Sequence, residues 1–222
     1  MSCRVPGADD VDAFWNLIDE GKCRIGPVPP LRMMDLGASG RASLFERIDM
    51  FDAEFFGITP RHAAAMDPQQ RFLLEASWHA LQDAGIVPTD IAGSDTGVFV
   101  AGGSYDYRER HVLAGAADSY STTGTLAAFL ANRISHTYDL SGPSVTIDTA
   151  CSGGLTAVSL AVAALRNGDC SMALVGAANL LSSEFNMIAY RRAGMLSPQD
   201  QSHVFDARAD GFVRGEGVGW VV

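Results

Sequence analysis

SVTIDTACSGGLTAVSLAVAALRNGDCSMALVG, residues 144–176, carries three patterns in succession. Ser144-Val145-Thr146-Ile147-Asp148 is rich in the β-branched residues that strands favour. Residues 152–166 read as a helix, and Asn167-Gly168 supplies its stop. Met172-Ala173-Leu174-Val175-Gly176 is a short apolar run of the kind that forms a buried strand. Strand, helix and strand in so short a span predict a βαβ unit with a right-handed crossover, and so an α/β fold.

The flanks extend this reading. Thr96-Gly97-Val98-Phe99-Val100-Ala101 is another buried-strand candidate, ended by a turn at Gly102-Gly103-Ser104. Asp67-Pro68-Gln69-Gln70 combines an acid able to cap a helix, a proline at the first helical position and a glutamine three residues after the cap, which predicts a capping box. Leu73, Ala76, Ala80 and Ala84 then share one helical face, with Phe72 and Leu81 widening it, and Gly85 suits a left-handed C-terminal cap. Residues 124–135 fit a further helix through Leu126, Phe129, Leu130 and Ile134, before Ser141-Gly142-Pro143 breaks the pattern. Near the start, Asp9 or Asp10 can cap a helix with Val11, Phe14, Trp15 and Ile18 on one face and Gly21 at its end. Residues 26–40, with Pro27, Pro29 and Pro30, read as a loop. No internal repeat or low-complexity tract is present.

Composition narrows the function classes. The 222 residues are 47% hydrophobic and 19% charged, enough for a sizeable core. Sixteen Lys and Arg against 26 Asp and Glu give a net charge of −10, opposite to the footprint of a nucleic-acid or anionic-membrane binder. The N-terminal MSCRVPGADD lacks a secretory pattern, and the most apolar stretch, residues 153–165, is shorter than the ~20 residues that span a bilayer. Cys3, Cys23, Cys151 and Cys170 are too dispersed for a CxxC pair or a paired-cysteine zinc site, so they read as reduced thiols in a cytoplasmic protein.

Cys151 stands apart. It falls between a strand end and the first turn of a helix, in Asp148-Thr149-Ala150-Cys151-Ser152-Gly153-Gly154. Free backbone N–H groups and the positive end of the helix dipole favour a thiolate there, and the same donors can stabilise an oxyanion when sulfur attacks a carbonyl. Gly153-Gly154 would let substrate approach the backbone closely. The arrangement is similar to the turn that presents the serine of α/β-hydrolases, with sulfur in place of oxygen. The competing reading makes Cys151 a small buried hydrophobe, the reading preferred for Cys3, Cys23 and Cys170. Both stay open at this point.

Longer motifs add a family resemblance. TIDTACSGGLTAVSLAVAALRNGD at 146–169, RIDMFDAEFFGITPRHAAAMDPQQR at 47–71, ANRISHTYDLSGPS at 131–144, RRAGMLSP at 191–198 and FDARADGFVRGEGVG at 205–219 resemble the β-ketoacyl synthase (ketosynthase) domain of modular type I polyketide synthases. The resemblance covers nearly the whole of residues 1–222 and implies a thiolase-like α-β-α-β-α sandwich, here mainly its N-terminal half. It implies a homodimer in which Cys151 accepts an acyl chain from the phosphopantetheine arm of an acyl carrier protein. Decarboxylation of a malonyl-type carrier protein and Claisen condensation would follow, in polyketide or fatty acid biosynthesis. No directly bound cofactor and no metal is implied. Gly153 stands where the family usually has serine. The family's two catalytic histidines fall in motifs beyond Val222, and its first strand begins before MSCRVPGAD, so the chain resembles a domain clipped at both ends. The alternatives are a catalytically incompetent fragment that only self-associates, and a thiol hydrolase using a nearby histidine as base.

Other residues carry less. His62, His79, His111, His136 and His203 are scattered and form neither an HGTGT-like nor an HExxH pattern, so surface or packing roles are expected. Gly211, Gly215, Gly217 and Gly219 suggest a phosphate loop, but no Lys-Ser or Lys-Thr follows. Asp206, Asp210 and Glu216, interleaved with Arg208 and Arg214, read as a salt-bridged surface loop.

Overall fold

The computed structural model describes residues 1–37 and 40–222. The chain runs through β1 (Ser2–Arg4), α1 (Val11–Asp19), β2 (Gly26–Pro27), α2 (Met33–Leu36), β3 (Arg41–Ala42), α3 (Pro60–Ala65) and α4 (Pro68–Asp83). It continues through β4 (Gly97–Ala101), α5 (Asp106–Leu113), α6 (Ser121–Thr125), α7 (Ala128–Thr137) and β5 (Ser144–Ile147). Then come α8 (Gly153–Asn167), β6 (Ala173–Asn179), α9 (Phe185–Arg192) and β7 (Gly217–Val221). The main sheet has the order β1-β7-β6-β4-β5. β5, β4 and β6 are parallel, while β7 is antiparallel to both β6 and β1. The predicted βαβ unit is present with β4 inserted between its two strands, so α8 crosses over β4.

Side-chain alternation along the central strands separates two cores. Val98 and Val100 of β4 and Leu174 of β6 face α4 and α7, joining Leu73, Leu81, Leu130 and Ile134. Phe99, Ala101 and Val175 face the other way, against Ala157, Ala161 and Ala164 of α8. These alanines bring α8 close to the sheet. Its opposite face carries Leu155, Val158, Leu160, Val162 and Leu165, all exposed, with Leu155 81% accessible. A helix apolar on both faces belongs between two layers. The glycine-rich end forms β7 rather than a phosphate loop. Trp220 lies over Gly176, where a Cβ would come within 2.6 Å of its ring, and its Nε1 donates to Leu73 O at 3.1 Å.

Helix α4 starts at the predicted place, with Asp67 as its cap and Pro68 in its first turn, but without the reciprocal half of the box. Asp67 Oδ1 accepts the Gln69 backbone N–H at 2.8 Å, but Gln70 does not reach back to complete a capping box. Its Nε2 donates to Gly124 O at 2.9 Å and Thr123 O at 3.1 Å, and its Oε1 accepts from Arg133 Nε at 2.7 Å. These contacts also explain why the helix predicted over 124–135 is two helices. The Gly124 carbonyl is taken by Asp67 N and Gln70, and a Cβ at Gly124 would lie 2.1 Å from Ala65 O. Leu126 turns extended before α7 begins. Within residues 26–40, β2, α2 and a short 3-10 turn at Pro30–Arg32 replace part of the expected loop, while Ala38 and Ser39 lie outside the described residues. Asp10 caps α1 through the Ala13 N–H, yet no α1 residue is buried.

Asp67 is only 6% accessible, and burial pushes its carboxyl up to about 6. The folded protein therefore holds this proton more tightly than the unfolded chain does. Stability is lost as pH rises from the ordinary aspartate value through about 6, by roughly 3 kcal/mol in total. Asp67→Asn keeps a cap acceptor without the charge. It is expected to stabilise the intact domain by about 2 to 3 kcal/mol at pH 7.5, with the gain vanishing at pH 4. Urea denaturation at the two pH values checks this, and an equal difference at both would refute it.

Candidate active site

The nucleophile candidate is built from the end of β5 and the start of α8. After Ile147, Asp148 turns its carboxylate back so that Oδ1 accepts the Ala150 N–H at 3.1 Å. Ala150 has φ +52°, the left-handed region, which costs an L-residue about 1 kcal/mol. Cys151 follows at the centre of a short 3-10 turn, Ala150–Ser152, that leads directly into α8. The positive-φ residue precedes the cysteine, which explains how the chain reverses from strand to helix within so few residues. On the other side of the turn, Ser152 Oγ lies 2.8 Å from Thr149 O and 2.9 Å from Thr149 Oγ1. Thr149 Oγ1 is in turn 3.2 Å from Thr156 Oγ1.

Cys151 is exposed, so the buried-hydrophobe reading fails for it. It lies at the N-terminus of a fifteen-residue helix, at the positive end of the helix dipole, while the Ser152 and Gly153 N–H groups are taken by Thr149 O and Ala150 O. Gly153 is buried, and a Cβ there would meet Ala101 Cβ at 3.2 Å, so this glycine also seats α8 closely against β4. At Gly154 a Cβ would make ordinary contact with Ala177 Cβ at 3.9 Å.

The remaining thiols are free. Cys170 is 3% accessible, and burial raises its thiol, as partial burial and Asp10 raise that of Cys3. Cys23 is exposed but follows α1 instead of opening a helix. Iodoacetamide labelling near neutral pH, resolved by peptide mapping, should therefore modify Cys151 fastest and Cys170 slowest. Faster labelling of Cys3 or Cys170 than of Cys151 in folded protein would overturn the assignment.

Among the described residues none of the five histidines hydrogen-bonds Cys151. His79 Nδ1 lies 3.2 Å from Gln82 Oε1, His62 stacks on Tyr120, and His111 packs on Tyr107. Among the described residues no group of three or more His, Cys, Asp or Glu could hold a metal ion. Cys151 lines neither of two clefts in the fold. One, of about 300 Å³, runs along the outer edge of β5 and includes Asp148, Tyr105 and Asn132. The other, of about 590 Å³, is lined by Arg41, Arg191, Arg214, Asp200 and Asp210.

The carboxylates of 206–216 do not form one surface loop. Asp206 pairs with Arg208 as expected, and this contact lowers its carboxyl to about 2. Glu216 is instead buried, 2.8 Å from the guanidinium of the equally buried Arg32. Arg214 is buried over the Tyr190 ring. Sequence reasoning singled out neither Arg32 nor the turn-forming role of Asp148. An acid two residues before the N–H it accepts is a recognisable turn signature, so the second was findable.

The chain as a whole is similar to known proteins. A family model described as the β-ketoacyl synthase N-terminal domain matches residues 1–222. The chain belongs to the β-ketoacyl synthase family. It is similar to polyketide synthase ThaG of Burkholderia thailandensis, 42% identical over 235 residues, covering all of this chain and 4% of that protein. Similarity extends to the non-reducing polyketide synthase nvfA of Aspergillus novofumigatus, 43% identical, with all of this chain covering 10% of that protein. Among solved structures, an oxazolomycin ketosynthase domain of Streptomyces albus superposes with a TM-score of 0.90 at 32% identity, covering 99% of this chain and 41% of that one. The ketosynthase from module 6 of the Bacillus subtilis bacillaene synthase gives a TM-score of 0.86 at 33% identity, covering 99% of this chain and 38% of that one. The α/β architecture is thus the thiolase-like fold of ketosynthases in its N-terminal half. The chain spans about two fifths of the ketosynthase chains it matches and a small part of the polyketide synthases.

Proposed function

We propose that this chain is the acyl-accepting half of a polyketide-synthase ketosynthase, with Cys151 as nucleophile. The observation that carries the reading is an exposed thiol presented by a left-handed turn at the N-terminus of α8. Cys151 sulfur attacks the thioester carbonyl of an acyl group on the phosphopantetheine arm of an acyl carrier protein. The positive end of the α8 dipole stabilises the oxyanion, and the pantetheine sulfur leaves. A malonyl-type unit then loses carbon dioxide, and the resulting carbanion attacks the Cys151 thioester, forming the carbon–carbon bond and releasing the thiolate. A cysteine suits this sequence because it is both a good nucleophile and a good leaving group.

The second half of the sandwich covers the exposed apolar face of α8 and supplies the histidines for decarboxylation. The free edge of β5, with Val145 exposed, is where two copies pair in a homodimer. No helix among the described residues is long and apolar enough to cross a membrane, and the reading places the enzyme in the cytoplasm. The test compares this chain with the same chain continued through the rest of the domain, each supplied with acyl and malonyl carrier protein. β-Ketoacyl product is expected from the continued domain alone. Product from residues 1–222 by themselves would show that the machinery is misplaced, and none from the continued domain would refute the activity.

A further inference from the structure

We infer that Asp148 is a positioning residue for Cys151, acting through Ala150 and seated by Gly103. The inference rests on the reading of Cys151 as nucleophile. Three observations support it. Ala150 sits at φ +52°, a conformation an alanine holds only when its surroundings impose it. The Ala150 N–H donates to Asp148 Oδ1 at 3.1 Å, closing the turn from its strand side. The Asp148 carboxylate lies flat against Gly103, where a Cβ would come within 2.5 Å of its Cγ and Oδ2.

Gly103 follows β4, whose end is tied to β5 by Gly102 N donating to Ile147 O at 3.1 Å. The seat of the carboxylate is therefore fixed by the sheet, and the carboxylate in turn fixes the backbone immediately before the thiol. Gly103 does not occupy the left-handed region, so glycine is required there by space and not by backbone conformation. The hydroxyls of Ser152, Thr149 and Thr156 hold the helix side of the turn, and nothing else described holds the Ala150 N–H. Release of that N–H would let Ala150 relax from the left-handed region and swing the thiol away from the positive end of the α8 dipole, where the oxyanion must form. A misplacement of about 1 Å costs up to about two orders of magnitude in rate when reacting atoms must align.

The test uses the intact domain and an acyl thioester of N-acetylcysteamine as donor, with acylation followed by mass spectrometry. Asp148→Ala should lower the acylation rate at saturating donor by about tenfold while leaving KM for the donor within about twofold, because the substrate path is untouched and only alignment is lost. Asp148→Asn should recover most of the rate, since its amide oxygen accepts the same N–H. Gly103→Ala should mimic Asp148→Ala by displacing the carboxylate without altering any atom of the turn. Circular dichroism and melting temperature accompany each variant, and Asp148→Asn against Asp148→Ala keeps the comparison decisive if Gly103→Ala fails to fold. Asp148→Ala acylating at the wild-type rate, or Asp148→Asn as slow as Asp148→Ala, would overturn the inference. Peptide mapping separates this from failure of the underlying reading, in which the acyl group is found on a residue other than Cys151 in the wild-type domain.

Discussion

Cys151→Ala is expected to abolish covalent acyl loading of the intact domain while leaving its folding intact. The thiol is exposed and has no hydrogen-bond partner among the described residues, so trimming it removes little packing. Alanine is tolerated in the first turn of a helix, and substitutions at such exposed positions usually stay within about 0.5 kcal/mol of neutral. The chemical loss is of another size. Removing the nucleophile of a covalent mechanism costs roughly four to six orders of magnitude in turnover, far beyond what positioned donors alone can return. Cys151→Ser would keep the shape of the site, but an alcohol without an adjacent base is a weak nucleophile, and no histidine described here is bonded to this position. Intact-mass analysis after incubation with an acyl-thioester donor should show a single adduct on the wild-type domain and none on Cys151→Ala. An adduct that survives in the alanine variant would remove Cys151 from the mechanism.

The strand, cysteine and helix of residues 144–176 were legible because everything that defines them is local. β-Branched residues mark β5, Gly168 at φ +77° ends α8 as a glycine after a helix should, and the turn between them is only a few residues long. The cap of α4 was legible for the same reason. What local pattern could not show was where polar side chains spend their hydrogen bonds once the chain has folded. Gln70 looks like the second half of a capping box, yet it bonds Thr123 and Gly124, more than fifty positions away. That contact also breaks the helix expected over 124–135. Gly153 has no side chain to pattern, so its fit against Ala101 becomes visible only when α8 lies on the sheet. The exposed stripe of α8 was readable as apolar, but not as the face turned away from the sheet.

The buried pair of Arg32 and Glu216 lies furthest from any sequence signal, 184 positions apart, and predicts the largest loss of stability. Glu216 accepts from Arg32 Nη2 at 2.8 Å and Nη1 at 3.1 Å, and from the backbone N–H groups of Phe45 and Leu181 at 2.8 Å each. Arg32 also donates to the carbonyls of Phe45 and Leu181. One ion pair therefore joins the turn before α2, the segment after β3, the exit of β6 and the entry to β7. Glu216→Ala leaves a guanidinium buried without a counter-charge and two backbone donors without acceptors, and is expected to destabilise the intact domain by about 3 to 5 kcal/mol. Arg32→Ala should cost less, because the orphaned carboxylate keeps its two backbone N–H donors, from Phe45 and Leu181. Replacing both residues by apolar ones should recover only part of the loss, since the Phe45 and Leu181 backbone groups would still lack partners. Chemical denaturation of the three variants checks the order. If Arg32→Ala proves the more damaging, the pair is held together by arginine packing and not by the burial of charge.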